Sequence, residues 1–255
     1  MPDIYVRATT KMDHRMWCYA AAIYTAPVGV IGGLSAAMFH DVHLSTGTDT
    51  PVEVLVPRQM RRTPVPELRI IRSVVPSAEV IRHSSGVRIT TPARTGFDIA
   101  RTLPLVEAVV AIDAMCFSRA LKLDDLVEFA ADHTRWPGIR TVYAILDLVE
   151  PLSESPMETR LRLGLTDSGL PRPVAQFEVR DGSRFIARLD LAYPQWKIGI
   201  EYDGDQHRER DAFTADLDRQ NKLRAAGWTI LRFTARDVYR HPDRIAALVR
   251  SVIPS

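Results

Sequence analysis

The order of hydrophobic patterns in the last hundred residues constrains the fold most strongly. Helical and strand-like periods alternate there in one series. The predicted elements are a helix over 156–167, strands over 174–179, 185–191 and 197–203, a helix from about 212 to 226, a strand over 228–233 and a closing helix over 242–252. Gly227 ends the second helix, because glycine readily adopts the conformation that follows a helix. The series predicts an α-β-β-β-α-β core.

The segment Pro-Leu-Ser-Glu-Ser-Pro at 151–156 is the best boundary in the chain. It predicts an α/β protein with two domains, an α+β domain over 1–150 and the core described above over 151–255. In the first domain, patterns predict a short helix capped by Ser35, strands over 52–56, 68–72 and 86–90, and helices over 106–117, 123–133 and 139–149. A basic turn with Arg58, Arg61 and Arg62 follows the first of these strands.

Net charge gives no direct sign of a nucleic-acid partner. The chain of 255 residues has a formal net charge of +2. Residues 1–150 contain 16 Lys+Arg and 16 Asp+Glu, and residues 151–255 contain 17 and 15. A bound cation that neutralised several C-terminal carboxylates would leave arginines free to contact phosphate.

The two cysteines and one uncharged segment bear on localisation. Cys18 and Cys116 lie far apart without metal-binding spacing, which predicts buried thiols of a cytoplasmic protein. Residues 16–40 contain no Asp, Glu, Lys or Arg and superficially resemble a membrane span or signal sequence. Pro27 and several glycines interrupt the segment. It therefore favours two short buried helices, and we expect no membrane partner.

Carboxylates recur on two consecutive strands of the predicted core. In the strand ending near Asp190, the period of two places Ala187, Leu189 and Leu191 on one face, and Arg188 and Asp190 on the other. In the next strand, Gly199, Glu201 and Asp203 share a face. Asp190 should then lie opposite Glu201 or one diagonal step away, with side-chain roots roughly 5–8 Å apart.

Two interpretations of this acidic patch remain open from spacing alone. A hard divalent cation would offset the repulsion, because Mg²⁺ prefers one or two carboxylates with water and phosphate oxygens. Such an ion polarises a phosphate and activates water. Alternatively, the carboxylates line a solvated hairpin edge and pair with Arg188 or Lys197.

Four further polar residues, Glu158, His207, Asp216 and Arg219, have ordinary structural explanations. Ser155-Pro-Met-Glu158 is a capping-box pattern, in which Glu158 bonds back to the Ser155 amide and is then unable to bind metal. His207 alone is typical of an exposed histidine. Asp216 and Arg219, three apart on a helix, are typical of a weak surface ion pair.

Taken together, these residues resemble a known family. The resemblance covers roughly residue 151 to the C-terminus and is to domain of unknown function 559, related to very-short-patch-repair endonucleases of the PD-(D/E)XK, restriction-endonuclease-like fold. It rests on Glu158, Leu-Asp190, Ile-Glu201-Tyr-Asp203-Gly204, His207, Asp216-x-x-Arg219, Gly227-Trp228 and Leu231-Arg232-Phe233.

The resemblance implies a metal site and a set of catalytic residues. Asp190 and Glu201 are implied to hold Mg²⁺, for which Mn²⁺ can substitute, with Glu158 as the helix carboxylate that completes the site. It places Asp203, His207, Asp216 and Arg219 near the active centre. The usual lysine two residues after the strand glutamate is Asp203 here.

Residues 1–150 resemble, on shorter segments, the AbiEi-type antitoxin and transcriptional-regulator family. The segments are Ile4-Tyr-Val6, Gly33-Leu-Ser-Ala-Ala37 with His40, 52–58, and Thr91-Pro-Ala-Arg-Thr95 with Asp98. Relatives usually begin with a winged helix-turn-helix, and the resemblance implies that this sequence starts just after that element, either because the start is shortened or because residues upstream are missing. The resemblance implies an accessory or regulatory domain.

Three functions follow as hypotheses. The first is a Mg²⁺- or Mn²⁺-dependent DNA endonuclease that hydrolyses phosphodiesters in repair or defence, with Asp190, Glu201, Asp203, His207 and Arg219 as its catalytic residues. The second is a non-catalytic DNA-binding regulator of antitoxin type with a decayed nuclease fold. The third is an RNA-processing enzyme that uses the same core.

Overall fold

The computed structural model describes residues 1–7, 9–42, 44, 50–204 and 210–254, with residues 210–215 described by their backbone alone. The chain divides into two compact units, Met1–Val149 and Glu150–Ser255. No helix in these described ranges is long and apolar enough to cross a membrane.

The first unit, Met1–Val149, combines a mixed sheet with six described α-helices. Its helices are α1 His14–Tyr24, α2 Gly33–Phe39, α3 Pro92–Thr102, α4 Leu105–Phe117, α5 Leu123–Asp132 and α6 Ile139–Leu146. Its strands are β1 Val30–Ile31, β2 Val52–Val56, β3 Leu68–Arg72, β4 Val80–Arg82 and β5 Arg88–Thr90, in the sheet order β3-β2-β1-β5-β4. The uncharged segment thus forms α1 and α2 with the short strand β1 between them.

Ser35 does not cap α2, contrary to the sequence-based expectation. The helix starts at Gly33 with Gly32 as its N-cap, so Ser35 lies in the first turn. Its buried hydroxyl contacts His14 Nε2 at 3.0 Å and accepts a hydrogen bond from the Glu53 amide at 3.2 Å. The cap thus lies three residues earlier than expected. Gly33, the first helical residue, has a positive φ of 54°, and a Cβ there would collide with the Glu53 carboxylate.

The second unit, Glu150–Ser255, has a four-stranded sheet between helices. Its elements are α7 Pro156–Asp167, β6 Val174–Asp181, β7 Arg184–Tyr193, β8 Ile198–Tyr202, α8 Arg210–Ala225, β9 Thr229–Phe233, α9 Ala235–Arg240 and α10 Pro242–Val252. The strand order is β6-β7-β8-β9, with β8 and β9 parallel and the other pairs antiparallel. The predicted fold class is confirmed, and α9 is an additional short helix that the pattern missed.

Both faces of this sheet are covered by apolar side chains. On one face, Leu161 and Leu165 of α7 and Val249 of α10 pack against Ile198 and Ile200. On the other, Leu223 and Trp228 pack in a cluster with β6 and β7 residues. Burial of such side chains contributes roughly 1.5–3 kcal/mol each, so the two layers hold β7 and β8 firmly in the middle of the unit.

The predicted alternation of side chains between the two faces of β7 is wrong for Leu191, which lies on the opposite face from Ala187 and Leu189. Ala187 and Leu189 pack with Leu223 of α8, whereas Leu191 packs with the α7 side of the sheet. The paired strand β6 changes face at the same level, where Gln176 has a φ of 51°. A left-handed residue interrupts the regular pleat. The change of face falls at Asp190.

Candidate active site

Asp190 and Glu201 meet on the two central strands. The ladder between β7 and β8 pairs Leu191 with Ile200, and each acidic residue is the next one along its strand toward the same sheet end. Both line one cleft, with Arg188, Tyr202, Asp203, Asp216, Arg219 and Arg232 among the other lining residues. Both carboxylates therefore face one opening.

The Asp190 carboxyl is half-buried and easily protonated. Its Oδ2 accepts a hydrogen bond from the Tyr202 amide at 2.8 Å. Burial raises the pKa of Asp190 to about 6, and the negative charges of Glu158 and Glu201 add to that effect. The Tyr202 amide and Arg219 lower the pKa of this carboxyl less than burial raises it. Asp190 is thus an anionic group with little compensation for its charge.

Glu201, in contrast, is tightly paired. The side chain is buried, and Arg219 Nη1 and Nη2 donate to its Oε1 and Oε2 at 2.7 Å each. Arg232 Nε donates to Oε2 at 3.1 Å. This bidentate geometry is the strong form of the arginine–carboxylate interaction.

Asp216 closes a ring of four charges around this pair. It accepts hydrogen bonds from Arg232 Nη1 and Nη2 at 2.9 and 2.8 Å, and its Oδ1 lies 3.6 Å from Arg219 Nε. Each arginine therefore contacts both carboxylates. The Glu201 contact further raises the pKa of Arg219, so its guanidinium stays protonated. The expectation of a merely weak i,i+3 surface pair is wrong, because the ring joins α8 to β8 and β9.

Glu158 adopts the position of a helix cap. Its Oε1 accepts from the Ser155 hydroxyl at 2.8 Å, and its Oε2 accepts from the Glu154 amide at 3.0 Å and from Gln176 Nε2 at 2.8 Å. The bond to the Ser155 amide that the capping-box pattern predicts is thus replaced by one to Glu154. Burial raises the pKa of Glu158 despite these bonds.

Asp203 and His207 are the two remaining residues of the predicted site. Asp203 is half-buried, lines the cleft, and donates its backbone amide to the Phe233 carbonyl at 2.8 Å. His207 lies outside the described residues. Within the described ranges, no group of three or more His, Cys, Asp and Glu side chains is arranged to hold a metal ion.

The sequence analysis did not identify Arg232 and Gln176 as residues of the site. Arg232 was named only as part of the Leu231-Arg232-Phe233 motif. The alternation of side chains along β9 does not by itself predict that Arg232 contacts Glu201. Gln176 was not singled out, and its contact with Glu158 spans 18 residues of sequence. The local sequence gives no distinct signal for Gln176, because the same strand also carries Glu178, Arg180 and Asp181.

Comparison with known proteins places this site within a broad class. Residues 176–253 match the family REase_MTES_1575, which is restriction-endonuclease-like. The match spans β6 to α10 and includes Asp190, Glu201, Asp216, Arg219 and Arg232. The second unit thus has a nuclease-type fold, in a class that usually uses divalent metals.

Two curated relatives come from Mycobacterium tuberculosis. Uncharacterized protein MT2308 of strain CDC 1551 / Oshkosh is 30% identical to this chain over 170 residues. Uncharacterized protein Rv2248 of strain ATCC 25618 / H37Rv shows the same identity over the same length. The alignment covers 66% of this chain and 63% of each relative, so less than two thirds of either relative is matched.

Proposed function

We propose that Glu150–Ser255 is a divalent-metal-dependent DNA endonuclease in which Asp190 and Glu201 bind Mg²⁺ or Mn²⁺. The observation that carries the proposal is the meeting of these two carboxylates on neighbouring central strands, in a cleft that also holds three arginines. The match to a restriction-endonuclease-like family supports it. Within that class, the motif series from Glu158 to Phe233 favours the family of domain of unknown function 559.

The donor set fits a hard cation. Asp190 uses one carboxylate oxygen for the Tyr202 amide, and its pKa is raised mainly by burial and further by the charges of Glu158 and Glu201, both of which a bound cation would offset. Mg²⁺ needs only one or two carboxylates, because water and phosphate oxygens complete its shell. The absence of a three-member cluster in the described ranges is therefore compatible with a two-carboxylate site.

Each residue then has a distinct role. The bound cation would polarise the scissile phosphate and activate the attacking water. With a cation on Glu201, Arg219 would be free to contact a phosphate oxygen, for which its planar donors are suited. Arg232 remains on Asp216 and keeps the β9 side of the cleft in place. Asp203, on the Glu201 face, orients water or accepts its proton. We include His207 only through the family resemblance.

Glu158 is the least available of the three proposed ligands. Both of its carboxylate oxygens accept hydrogen bonds, of which those from the Glu154 amide and the Ser155 hydroxyl lie at the start of helix α7 and that from Gln176 comes from β6. To bind metal directly it would give up at least the Gln176 bond. It acts on the site in any case through charge, since it raises the pKa of Asp190.

A non-catalytic DNA-binding regulator is the alternative that a specific observation favours. Glu201 is already neutralised by two arginines, and Asp203 stands where lysine-containing relatives place a positive charge. A decayed site would keep this ring as a structural element. In that case Met1–Val149, which resembles an AbiEi-type region, would supply the regulatory part.

Cleavage assays decide between these functions. Plasmid, single-stranded and mismatched DNA, and a structured RNA, are incubated with the full chain in Mg²⁺, Mn²⁺ or EDTA. The proposal expects metal-dependent DNA cleavage that Asp190→Asn abolishes and Glu178→Gln, a change of an exposed carboxylate on β6, preserves. DNA binding without cleavage in either metal would favour the regulator, and cleavage of RNA alone would favour the processing enzyme.

A further inference from the structure

One end of the five-stranded sheet in Met1–Val149 collects arginines from four strands or their flanks. Arg72 is the last residue of β3, Arg58 follows β2 by two residues, Arg88 opens β5, and Arg82 closes β4. We call these four residues the basic rim. Three of them are exposed and Arg88 is half-buried.

Strand directions explain why they meet. β2 and β3 are parallel and pair Val56 with Arg72, so both strands finish at this end. β1 is antiparallel to β2 and parallel to β5, which places the start of β5, at Arg88, beside them. One cleft is lined by both Arg58 and Arg88, across the short central strand β1.

The rim brings like charges together without acidic neighbours in sequence. Arg82 and Arg88 are direct cross-strand partners, an arrangement of like charges that destabilises a sheet. Each also donates to a backbone carbonyl, Arg82 to Gly86 at 3.0 Å and Arg88 to Pro27 at 2.9 Å, and neither of these contacts neutralises its charge. The segments 26–30, 57–63, 72–77 and 82–88 contain no Asp or Glu, although residues 1–150 carry equal numbers of acids and bases. Ion pairs elsewhere in the described part of the unit involve Arg69, Arg94, Arg101 and His133.

The shape and chemistry of the rim fit a row of phosphates. Arg58, Arg72, Arg82 and Arg88 lie along one end of the sheet from β3 to β4, which is four strand spacings, or roughly 19 Å. The register places Arg82 and Arg88 on one face of the sheet and Arg72 on the other, so the row follows the sheet end rather than a single face. A duplex rises about 3.4 Å per nucleotide on each strand, so this width covers about five to six phosphates. Arg61 and Arg62 extend the row, and Arg61 donates to the Arg58 carbonyl at 2.9 Å. Guanidinium groups bind phosphate oxygens in bidentate fashion.

We propose that the basic rim of the first unit binds the phosphate backbone of duplex DNA without reading its sequence. The choice of DNA as the polyanion rests on the proposed function of the second unit. The rim holds substrate by charge alone, and the proposed cleavage site contributes the chemistry.

The test measures binding of the full chain to a labelled duplex of about 24 base pairs in EDTA, from about 50 to 200 mM salt. A triple variant, Arg58→Gln/Arg72→Gln/Arg82→Gln, should lower the slope of log affinity against log salt by about 2.7, at about 0.9 for each phosphate that it no longer neutralises. The matched control, Lys122→Gln/Arg135→Gln/Arg140→Gln, removes three exposed charges of the same unit away from the rim and should leave the slope unchanged.

Unchanged melting temperatures establish that both triple variants are folded. The inference is overturned if the rim variant keeps the wild-type slope, if the control loses as much, or if anionic vesicles or single-stranded RNA displace the duplex better than unlabelled duplex does. An Asp190→Asn/Glu201→Gln variant with an intact rim should retain the rim-dependent slope in EDTA. Absence of cleavage by wild type would therefore refute the proposed function while leaving the rim measurable.

Discussion

Arg219 donates a hydrogen bond to each carboxylate oxygen of Glu201, and both bonds, from its two terminal nitrogens, are 2.7 Å long. A divalent cation needs the same oxygens, so arginine and metal compete for Glu201 in the proposed nuclease. A metal ion bound to Glu201 would displace Arg219 from these oxygens. Metal binding would release a permanently charged guanidinium beside the position where a phosphate would bind.

Replacing Arg219 with Ala should strengthen metal binding and weaken catalysis. Hydrogen bonds to charged groups contribute about 1.5–3 kcal/mol each, so removing the competitor should tighten Mn²⁺ binding roughly tenfold or more. Cleavage and DNA affinity should fall together because alanine cannot bind the phosphate. Calorimetric titration of Mn²⁺ checks the first effect, with Arg224→Ala, an exposed arginine on the same helix, as control. Weaker Mn²⁺ binding by Arg219→Ala would contradict the competition.

The two central carboxylates should account for metal binding. The double variant Asp190→Asn/Glu201→Gln keeps the shape of both side chains and removes their charge. We expect calorimetry to detect no specific Mn²⁺ binding in this variant, whereas Glu178→Gln should bind like wild type. Equal binding by the double variant and wild type would show that the metal site lies elsewhere.

Asp203 should act in turnover rather than in binding. Its side chain lines the cleft next to the β8 carboxylate, and an acid–base group at such a position contributes roughly a hundredfold or more. Asp203→Asn should therefore lower the cleavage rate by about that factor and leave DNA affinity nearly unchanged. Asp181→Asn, at the exposed end of β6, is the control. If Asp203→Asn cleaves at the wild-type rate, Asp203 has only a structural role in the turn after β8.

Asp190 should make the metal-free protein less stable as pH rises. Its pKa is about 6 in the folded state against an ordinary 3.8, so the folded protein binds more protons between these values. Linkage then requires the free energy of unfolding to fall from about pH 4 to about pH 6 and to level off above it. The loss is about 2–3 kcal/mol, at about 1.4 kcal/mol per unit of pKa.

Denaturant titrations in EDTA at about pH 4, 5, 6 and 7 measure this effect across the interval that linkage defines. Asp190→Asn cannot ionise, so its stability relative to wild type should rise over that interval. Glu158, whose pKa burial also raises, titrates in both proteins, so the difference between the two curves measures Asp190 together with its coupling to Glu158. Parallel pH curves for the two proteins would contradict the assignment of the effect to Asp190.

Glu150–Ser255 should fold by itself. It contains a complete sheet with both faces covered, and Arg172 pairs with Glu150 at 3.2 Å at the very start of the unit. We expect a cooperative thermal transition for this fragment by circular dichroism. A gradual transition, or aggregation at every concentration tested, would show that the two units depend on each other to fold.

Sequence alone determined the order of elements in the second unit and the strands that carry its acids. Local periodicity is sufficient for that, because a strand repeats every two residues and a helix every 3.6. The helix over 156–167 and the closing helix over 242–252 have the bounds that their caps and prolines predict. The hairpin between β7 and β8 also follows from local pattern, which placed Asp190 near Glu201.

Only the tertiary structure decided which charges face which. Arg219 and Arg232 lie 18 and 31 residues from Glu201 in the chain, and no local period relates α8 or β9 to the side chains of β8. The change of face at Gln176 and Asp190 falls at one left-handed residue of the β6–β7 ladder, which no local pattern predicts. The basic rim likewise depends on strand directions, since residues as distant as Arg58 and Arg88 become neighbours only when β1 pairs with both β2 and β5. Contacts between distant segments are set by packing of the whole core, which periodicity does not encode.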